Sequence, residues 1–350
     1  MLNSYAARLP EPRGPLSTEL LGQLTGEVSP LPQLRELAGE VAANADCLRD
    51  EDFQLSLTVL YELHYRGLPR IDDRWEWHPD LVAASRSLEA AFEAALRRLT
   101  ADRLPERVPS DRVPAMLVTL VDTDDSPSLS RYLARTATVD QYAEFLVHRS
   151  IYHLKEADPH SWAIPRLGGG PKAALVEVPA DEYGGGRPEW MHAALFAATM
   201  RGLGLIETYG HYVDAVPALT LAWVNTMTLF GLHRRLRGAV AGHLAALEMT
   251  SSLPNRRYGD GLRRLGFGAQ VTRFFDEHVE ADAVHEQIAC HDLAGQLAVT
   301  EPGLAADILF GAAAALATDG LVAGQLIESW EAGSSSLRVD SAAAALVGVS

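Results

Sequence analysis

The segment that decides the class of fold is residues 277–286, EHVEADAVHE, in which two histidines and an aspartate recur at helical spacing. At about 100° per residue, Asp282 lies about 40° from His278 around a helix, and His285 lies about 20° on the other side. All three side chains would project from one stripe, within about 11 Å along the axis. This arrangement is typical of a metal centre. A solvated acidic face with scattered histidines is the alternative that the motif alone leaves open.

Helical periodicity continues on both sides of this segment. Leu34, Leu37 and Val41 share one face of a helix. We expect further helices over residues 50–67, 79–99, 139–156, 171–182, 189–201, 216–231, 236–250, 260–286 and 305–330. Alternating β-branched runs, which are typical of strands, are nearly absent. The sequence therefore predicts an all-α protein, with an extended arm over residues 1–33 and a long proline-containing connection over residues 101–129.

Composition excludes several classes of protein. The chain has 350 residues, of which 47% are hydrophobic and 22% are charged, so it can form a sizeable core. Its formal net charge of −16 argues against binding to nucleic acid or to an anionic membrane. Two cysteines, Cys47 and Cys290, are too few for a disulfide framework and fit a reducing compartment. No signal-peptide core is visible at the N-terminus, and the apolar run at 309–323 indicates a buried helix, so we expect a soluble, cytoplasmic protein.

A second candidate site lies in residues 182–192, EYGGGRPEWMH. Glu189 and His192 are three residues apart, which makes them neighbours on a helix surface. Glu-x-x-His is the spacing that carboxylate-bridged di-iron and di-manganese bundles use, although it also occurs by chance. Glu182 lies seven residues before Glu189. Its position depends on how the intervening glycines, 184–186, bend the chain.

Glu248 is a lone carboxylate among leucine, alanine and methionine. It lies either at the edge of an apolar stripe or in the interior, where a carboxylate needs a cation or a proton. Together the three segments offer four carboxylates and three histidines. Oxygen and imidazole ligands without thiolate suit iron or manganese better than structural zinc. Glu156 is a further residue that fits either a ligand or a group that contacts a ligand.

Three segments resemble one known family: ADPHSWAIPRL at 157–167, DEYGGGRPEWMH at 181–192 and EHVEADAVHE at 277–286. They look like the iron-containing redox enzymes of the heme-oxygenase-like diiron oxidase superfamily, over roughly residues 135–335. The resemblance implies a heme-oxygenase-like helical bundle over residues 131–335, preceded by an arm and helical extension over 1–130 and followed by a tail over 336–350. The metal ligands that it implies are Glu182, Glu189, His192, Glu248, His278, Asp282 and His285.

The same resemblance implies a non-heme diiron oxygenase. The expected cofactors are two Fe(II)/Fe(III) ions, with O₂ as co-substrate and an external electron donor such as a reductase. The Glu182 and Glu189 pair favours N-oxygenation of a small amine or amino-heterocycle to a hydroxylamine or nitro product. Oxidative C–C cleavage, desaturation or decarboxylation of an amino or fatty acid is the alternative reaction. A non-catalytic metal- or ligand-binding helical protein is the alternative class. The apolar N-terminal helices are compatible with a homodimer.

Overall fold

The computed structural model describes residues 8–44 and 46–338, and within these ranges it leaves aside the side chains of residues 280–283. The regular structure of the described residues is helical, with no β-strand among them. The all-α class expected from periodicity is therefore confirmed.

The α-helices follow one another closely along the chain. In order they are α1 Pro15–Leu24, α2 Pro32–Asn44, α3 Glu51–Glu62, α4 Pro79–Thr100, α5 Val113–Asp122, α6 Leu129–Arg135, α7 Val139–His153, α8 Asp158–Ser161, α9 Gly169–Glu182, α10 His192–Gly202, α11 Ala218–Leu232, α12 Arg237–Met249, α13 Ser252–Arg264, α14 Ala269–Gln287, α15 Gln296–Thr300 and α16 Ala305–Glu331. A π-helical segment, Ile288–Gly295, continues α14 into α15. Short 3₁₀ turns form several of the other connections.

Two regions that the sequence predicted to lack helix contain one. The extended arm predicted for residues 1–33 contains α1, whose first N–H groups are capped by Asp52: its carboxylate accepts hydrogen bonds from Leu16 N at 2.8 Å and Ser17 N at 2.7 Å. The connection predicted for residues 101–129 contains α5, with Pro114 in its first turn, a position that proline tolerates. These two predictions were wrong, and for α1 the cap comes from a residue far along the chain.

The single helix predicted over residues 260–286 is two helices. α13 ends at Arg264 and α14 begins at Ala269. Gly266 between them has a φ of +92°, which an L residue rarely adopts, so the chain turns there. Because of this break, α14, which carries the histidine motif, runs in a different direction from α13.

The apolar core is continuous from the N-terminal helices to the last one. Leu16, Phe53 and Phe92 belong to the same buried cluster as Phe196 and Phe310. Within this core α12 and α16 cross at unusually close range. A domain boundary near residue 130 stays a prediction.

One segment, Pro302–Glu331, is long and apolar enough to cross a membrane by length and composition alone. Its most apolar window is 72% buried inside the protein. Such burial is typical of a core helix in a soluble protein, and it agrees with the buried helix expected for this region.

Candidate metal centre

Two overlapping groups of buried acidic and histidine side chains lie at the centre of the helical bundle. The first contains Glu156, Glu182, His192 and His278, and the second contains Glu182, Glu248 and His285. In each group the candidate ligand atoms all lie within 4.8 Å of one another. Glu182 belongs to both groups, so the two share one carboxylate.

Five separate segments of backbone bring these side chains together. Glu156 lies in the turn after α7, Glu182 is the last residue of α9 and His192 is the first residue of α10. Glu248 lies near the C-terminal end of α12, whereas His278 and His285 lie two turns apart on α14. Because no two of the three carboxylates share an element, the site depends on the tertiary packing of the whole bundle.

The histidine tautomers direct lone pairs at carboxylate oxygens. His278 Nδ1 donates a hydrogen bond to the Phe274 carbonyl at 2.8 Å, so the other nitrogen of a neutral ring is an acceptor. That nitrogen, Nε2, lies 3.6 Å from Glu156 Oε1. His285 is arranged alike: Nε2 lies 3.1 Å from Asp181 Oδ2, and Nδ1 lies 3.6 Å from Glu248 Oε2. Acceptors that face each other in the protein interior require a positive charge between them.

Several buried ligand atoms of the site have no hydrogen-bond partner among the described residues. His192 Nδ1 and Glu182 Oε2 are 2.6 Å apart, yet neither makes a hydrogen bond of acceptable geometry. Glu156 Oε2 and His285 Nδ1 are also unpartnered by hydrogen bonds. Buried polar atoms are nearly always satisfied, and cations bound in the two groups would satisfy these four. The donor set therefore fits a metal centre.

The electrostatics of the site favour an ionised Glu156 and a protonated His285. Burial alone would raise the pKa of Glu156, but the charges and hydrogen bonds of His153 and His278 outweigh burial and hold the pKa well below its usual range. His153 Nδ1 contributes through a hydrogen bond of 2.6 Å to Glu156 Oε1. For His285, burial lowers the pKa, but Glu248 and Asp181 outweigh it and raise the pKa to about 9. Without a metal, a proton on His285 takes the place of the cation.

A cavity of about 390 Å³ opens beside these residues. Glu156, Glu182, Glu248 and His278 form part of its wall. Aromatic and apolar side chains form another part, among them Tyr152, Phe196, Trp223 and Leu244. A cavity of this size and mixed lining is typical of a site for a small molecule.

A family model described as iron-containing redox enzyme matches residues 143–320, which is just over half of the chain. The chain belongs to this family. All members of both ligand groups lie within the matched range. A comparison with curated proteins found no match. This iron-containing redox enzyme is thus an oxidoreductase with the fold class and family that its sequence predicted.

The structure brings together five of the seven ligands predicted for this iron-containing redox enzyme: Glu182, His192, Glu248, His278 and His285. Asp282 belongs to the same motif, but its side chain lies outside the described residues. Which of these side chains bind iron stays a prediction.

Glu189 does not join either group. It is exposed on a 3₁₀ turn, Pro188–Trp190, and Met191, with a φ of −57° and a ψ of 132°, interrupts the helix before α10 begins at His192. The prediction that Glu189 and His192 share one helix face was therefore wrong. Glu156 occupies the site instead. The sequence left Glu156 open, and its spacing of three residues from His153 was the available signal.

Proposed function

We propose that this iron-containing redox enzyme is a non-heme diiron oxygenase that uses O₂ to oxidise a small substrate in the cavity beside the two ligand groups. The observation that carries the proposal is the sharing of Glu182 between two groups of buried carboxylates and imidazoles. Glutamates that reach two ions are the ligands of carboxylate-bridged di-iron bundles.

The residues that would hold the ions follow from the two groups. Glu156, Glu182, His192 and His278 would hold one ion, and Glu182, Glu248 and His285 would hold the other. Carboxylate and imidazole ligands without thiolate suit iron in this role. When bound, the ions would supply electrons and open coordination positions for O₂.

The chain's own residues prepare the ligands and the substrate cavity. The Phe274 carbonyl fixes the His278 ring through the hydrogen bond to Nδ1, and Asp181 does the same for His285. Such outer contacts orient metal ligands and raise their basicity. Tyr152, Phe196 and Trp223 line the cavity, where they would exclude water and orient a substrate beside Glu156 and Glu248. His153 holds a proton at Nδ1, between its ring and Glu156.

Within this class we favour N-oxygenation of a small amine or amino-heterocycle. The support is the number of carboxylates: Glu156, Glu182 and Glu248 all lie in the two groups, so the set remains rich in carboxylate without Glu189. Oxidative cleavage, desaturation or decarboxylation of an amino or fatty acid would give a different change in mass. N-oxygenation adds oxygen and retains every carbon. The other reactions release a fragment or remove two hydrogens.

The experiment begins with the metal-free full-length chain. Ferrous iron is added without oxygen and bound iron per chain is measured; we expect two ions. Oxygen uptake is then followed with a panel of amines, and product masses are recorded. Two bound ions, substrate-dependent oxygen uptake and a product that has gained oxygen would support the proposal. Bound iron without oxygen uptake would support the alternative of a non-catalytic metal-binding protein. The absence of bound iron would refute the diiron assignment.

A further inference from the structure

The turn that carries Glu156 has a strained backbone. Ala157, the next residue, has a φ of +70° and a ψ of −24°, in the left-handed region. Residues with a Cβ rarely adopt this conformation, and those that do are held in it by their surroundings. Ala157 is also buried, so neighbouring groups surround it closely. The position of Glu156 thus depends on whatever holds this turn.

Glu62, the last residue of α3, and Arg66, four residues later, contact the turn on both sides of Glu156. Glu62 Oε1 accepts a hydrogen bond from Lys155 Nζ at 2.6 Å. Arg66 Nη2 donates to the Leu154 carbonyl at 3.3 Å and lies 3.7 Å from Asp158 Oδ2. We call Glu62 and Arg66 the N-terminal clamp. The clamp lies outside the family-matched range of 143–320, yet it contacts Lys155, immediately before the candidate ligand Glu156, and Asp158, two residues after it.

The ion pair between Glu62 of the clamp and Lys155 is fully buried. The side chains of Lys155 and Glu62 are each 3% exposed. The Tyr209 hydroxyl donates to the same Glu62 oxygen at 2.6 Å, and Lys155 Nζ lies 4.1 Å from the centre of the Tyr65 ring. A buried ion pair adds little stability compared with an apolar pair of the same shape, but it permits few alternative geometries. Its placement next to Glu156 therefore indicates a role in geometry.

We propose that Glu62 and Lys155 are positioning residues that hold the strained turn so that Glu156 faces the other ligands. The inference rests on the proposed function, because Glu156 must bind iron for its position to matter. It gives the N-terminal helices a part in the metal centre. Loss of the ion pair between Glu62 and Lys155 lets Ala157 relax to a common backbone conformation, which turns the Glu156 carboxylate away from His278.

The test compares variants of the full chain, each titrated anaerobically with Fe(II) and with Co(II) as a spectroscopic probe. The double variant Glu62→Leu with Lys155→Met removes both charges and leaves neither unpaired. We expect metal affinity to fall about 10–100-fold, the range typical of lost outer contacts, and the visible Co(II) spectrum to change. The matched control is Glu51→Gln, at the opposite end of α3, which breaks the ion pair of 2.6 Å with Arg13. The control should bind both metals as the wild type does.

Two further variants keep the test decisive. Ala157→Gly, added to the double variant, should restore part of the affinity because glycine adopts a φ of +70° without a Cβ penalty. If the double variant does not fold, Tyr209→Phe removes only one hydrogen bond to Glu62 and should alter the Co(II) spectrum in the same sense.

A folded double variant with wild-type affinity and spectrum would overturn the inference, and so would equal weakening by Glu51→Gln. A wild-type chain that binds no metal refutes the proposed function itself, and the wild type is measured first.

Discussion

At the scale of single residues, Glu182 is central to the proposed metal centre. It ends α9, it is buried, and it is the one described carboxylate common to both ligand groups. Its Oε2 lies 2.6 Å from His192 Nδ1 without a hydrogen bond between them. A cation bound to both atoms would account for their close approach.

Replacing Glu182 by glutamine should lower the binding of both proposed ions. An amide keeps the shape of the side chain but loses the negative charge that either ion requires. The measurement is bound iron per chain after anaerobic reconstitution, and we expect less than one ion where the wild type holds two. The control is Glu189→Gln, seven residues later and exposed, which should bind iron as the wild type does. Equal iron content in all three proteins would contradict the role of Glu182.

The comparison of Glu182 with Glu189 shows what residue spacing can predict and what it cannot. Spacing identified the histidine motif and the residue types, and the family resemblance added the rest of the five residues that lie in the two groups. It failed where the backbone leaves the helix: Gly184 and Gly185 have φ values of +70° and +57°, and Met191 is extended. Side-chain directions at these positions depend on turn geometry and tertiary packing, which a helical repeat does not contain.

At the scale of helices, the site depends on the close crossing of α12 and α16. Gly242 of α12 faces the Ile308 carbonyl, and Gly311 of α16 faces the Ala239 carbonyl, with no room for a side-chain carbon at either glycine. Small residues at a crossing let two backbones approach closely. Since α12 carries Glu248, this crossing sets where that carboxylate lies.

Gly242→Ala should therefore destabilise the protein, although alanine forms helices better than glycine. Overpacking of this kind costs about 1–3 kcal/mol of unfolding free energy. Gly39→Ala is the matched control. Gly39 lies within α2 and has nothing near the position of a Cβ, so alanine should raise the free energy of unfolding by about 0.5–1 kcal/mol. Urea unfolding of both variants measures the two effects. Similar shifts of the unfolding midpoint in both would mean that the crossing tolerates a wider spacing.

Helices with their own periodic apolar face were predicted close to their true bounds, as α4 and α16 illustrate. α1 was missed because its first turn is capped by Asp52, which belongs to α3. The break between α13 and α14 was missed because Gly266 lies in a sequence whose helical repeat continues on both sides. For α1 the missing information was a tertiary interaction, and for α13 and α14 it was a turn within a stretch whose helical tendency had been recognised.

At the scale of the whole molecule, buried neutral histidines should make stability depend on pH. His148 is buried and hydrogen-bonded to Thr220 at 2.7 Å and to Ser336 at 3.1 Å, which ties α7 to α11 and to the C-terminal segment. Burial, with a smaller contribution from Arg149, lowers the pKa of His148 from 6.5 to about 3. The unfolded chain therefore takes up a proton below pH 6.5 that the folded chain refuses.

The free energy of unfolding should fall as the pH drops from 6.5 towards 3, by about 1.4 kcal/mol per pH unit from this histidine. The stabilisation is fully present above pH 6.5. His148→Gln removes the titrating group, so its unfolding free energy should decline less steeply over the same range. Urea unfolding of the metal-free proteins at pH 7.5, 6.5 and 5.5 measures both slopes. Parallel curves for variant and wild type would show that folding does not lower the pKa of His148.

One feature of the centre affects how iron would enter the chain. A carboxylate that faces two positions at once makes their occupancies thermodynamically linked: filling one changes the affinity of the other, and the effect is reciprocal. Glu182 has this place between the two ligand groups. The fraction of half-filled chains at limiting ferrous iron would therefore depend on a coupling free energy as well as on the affinities of the two sites.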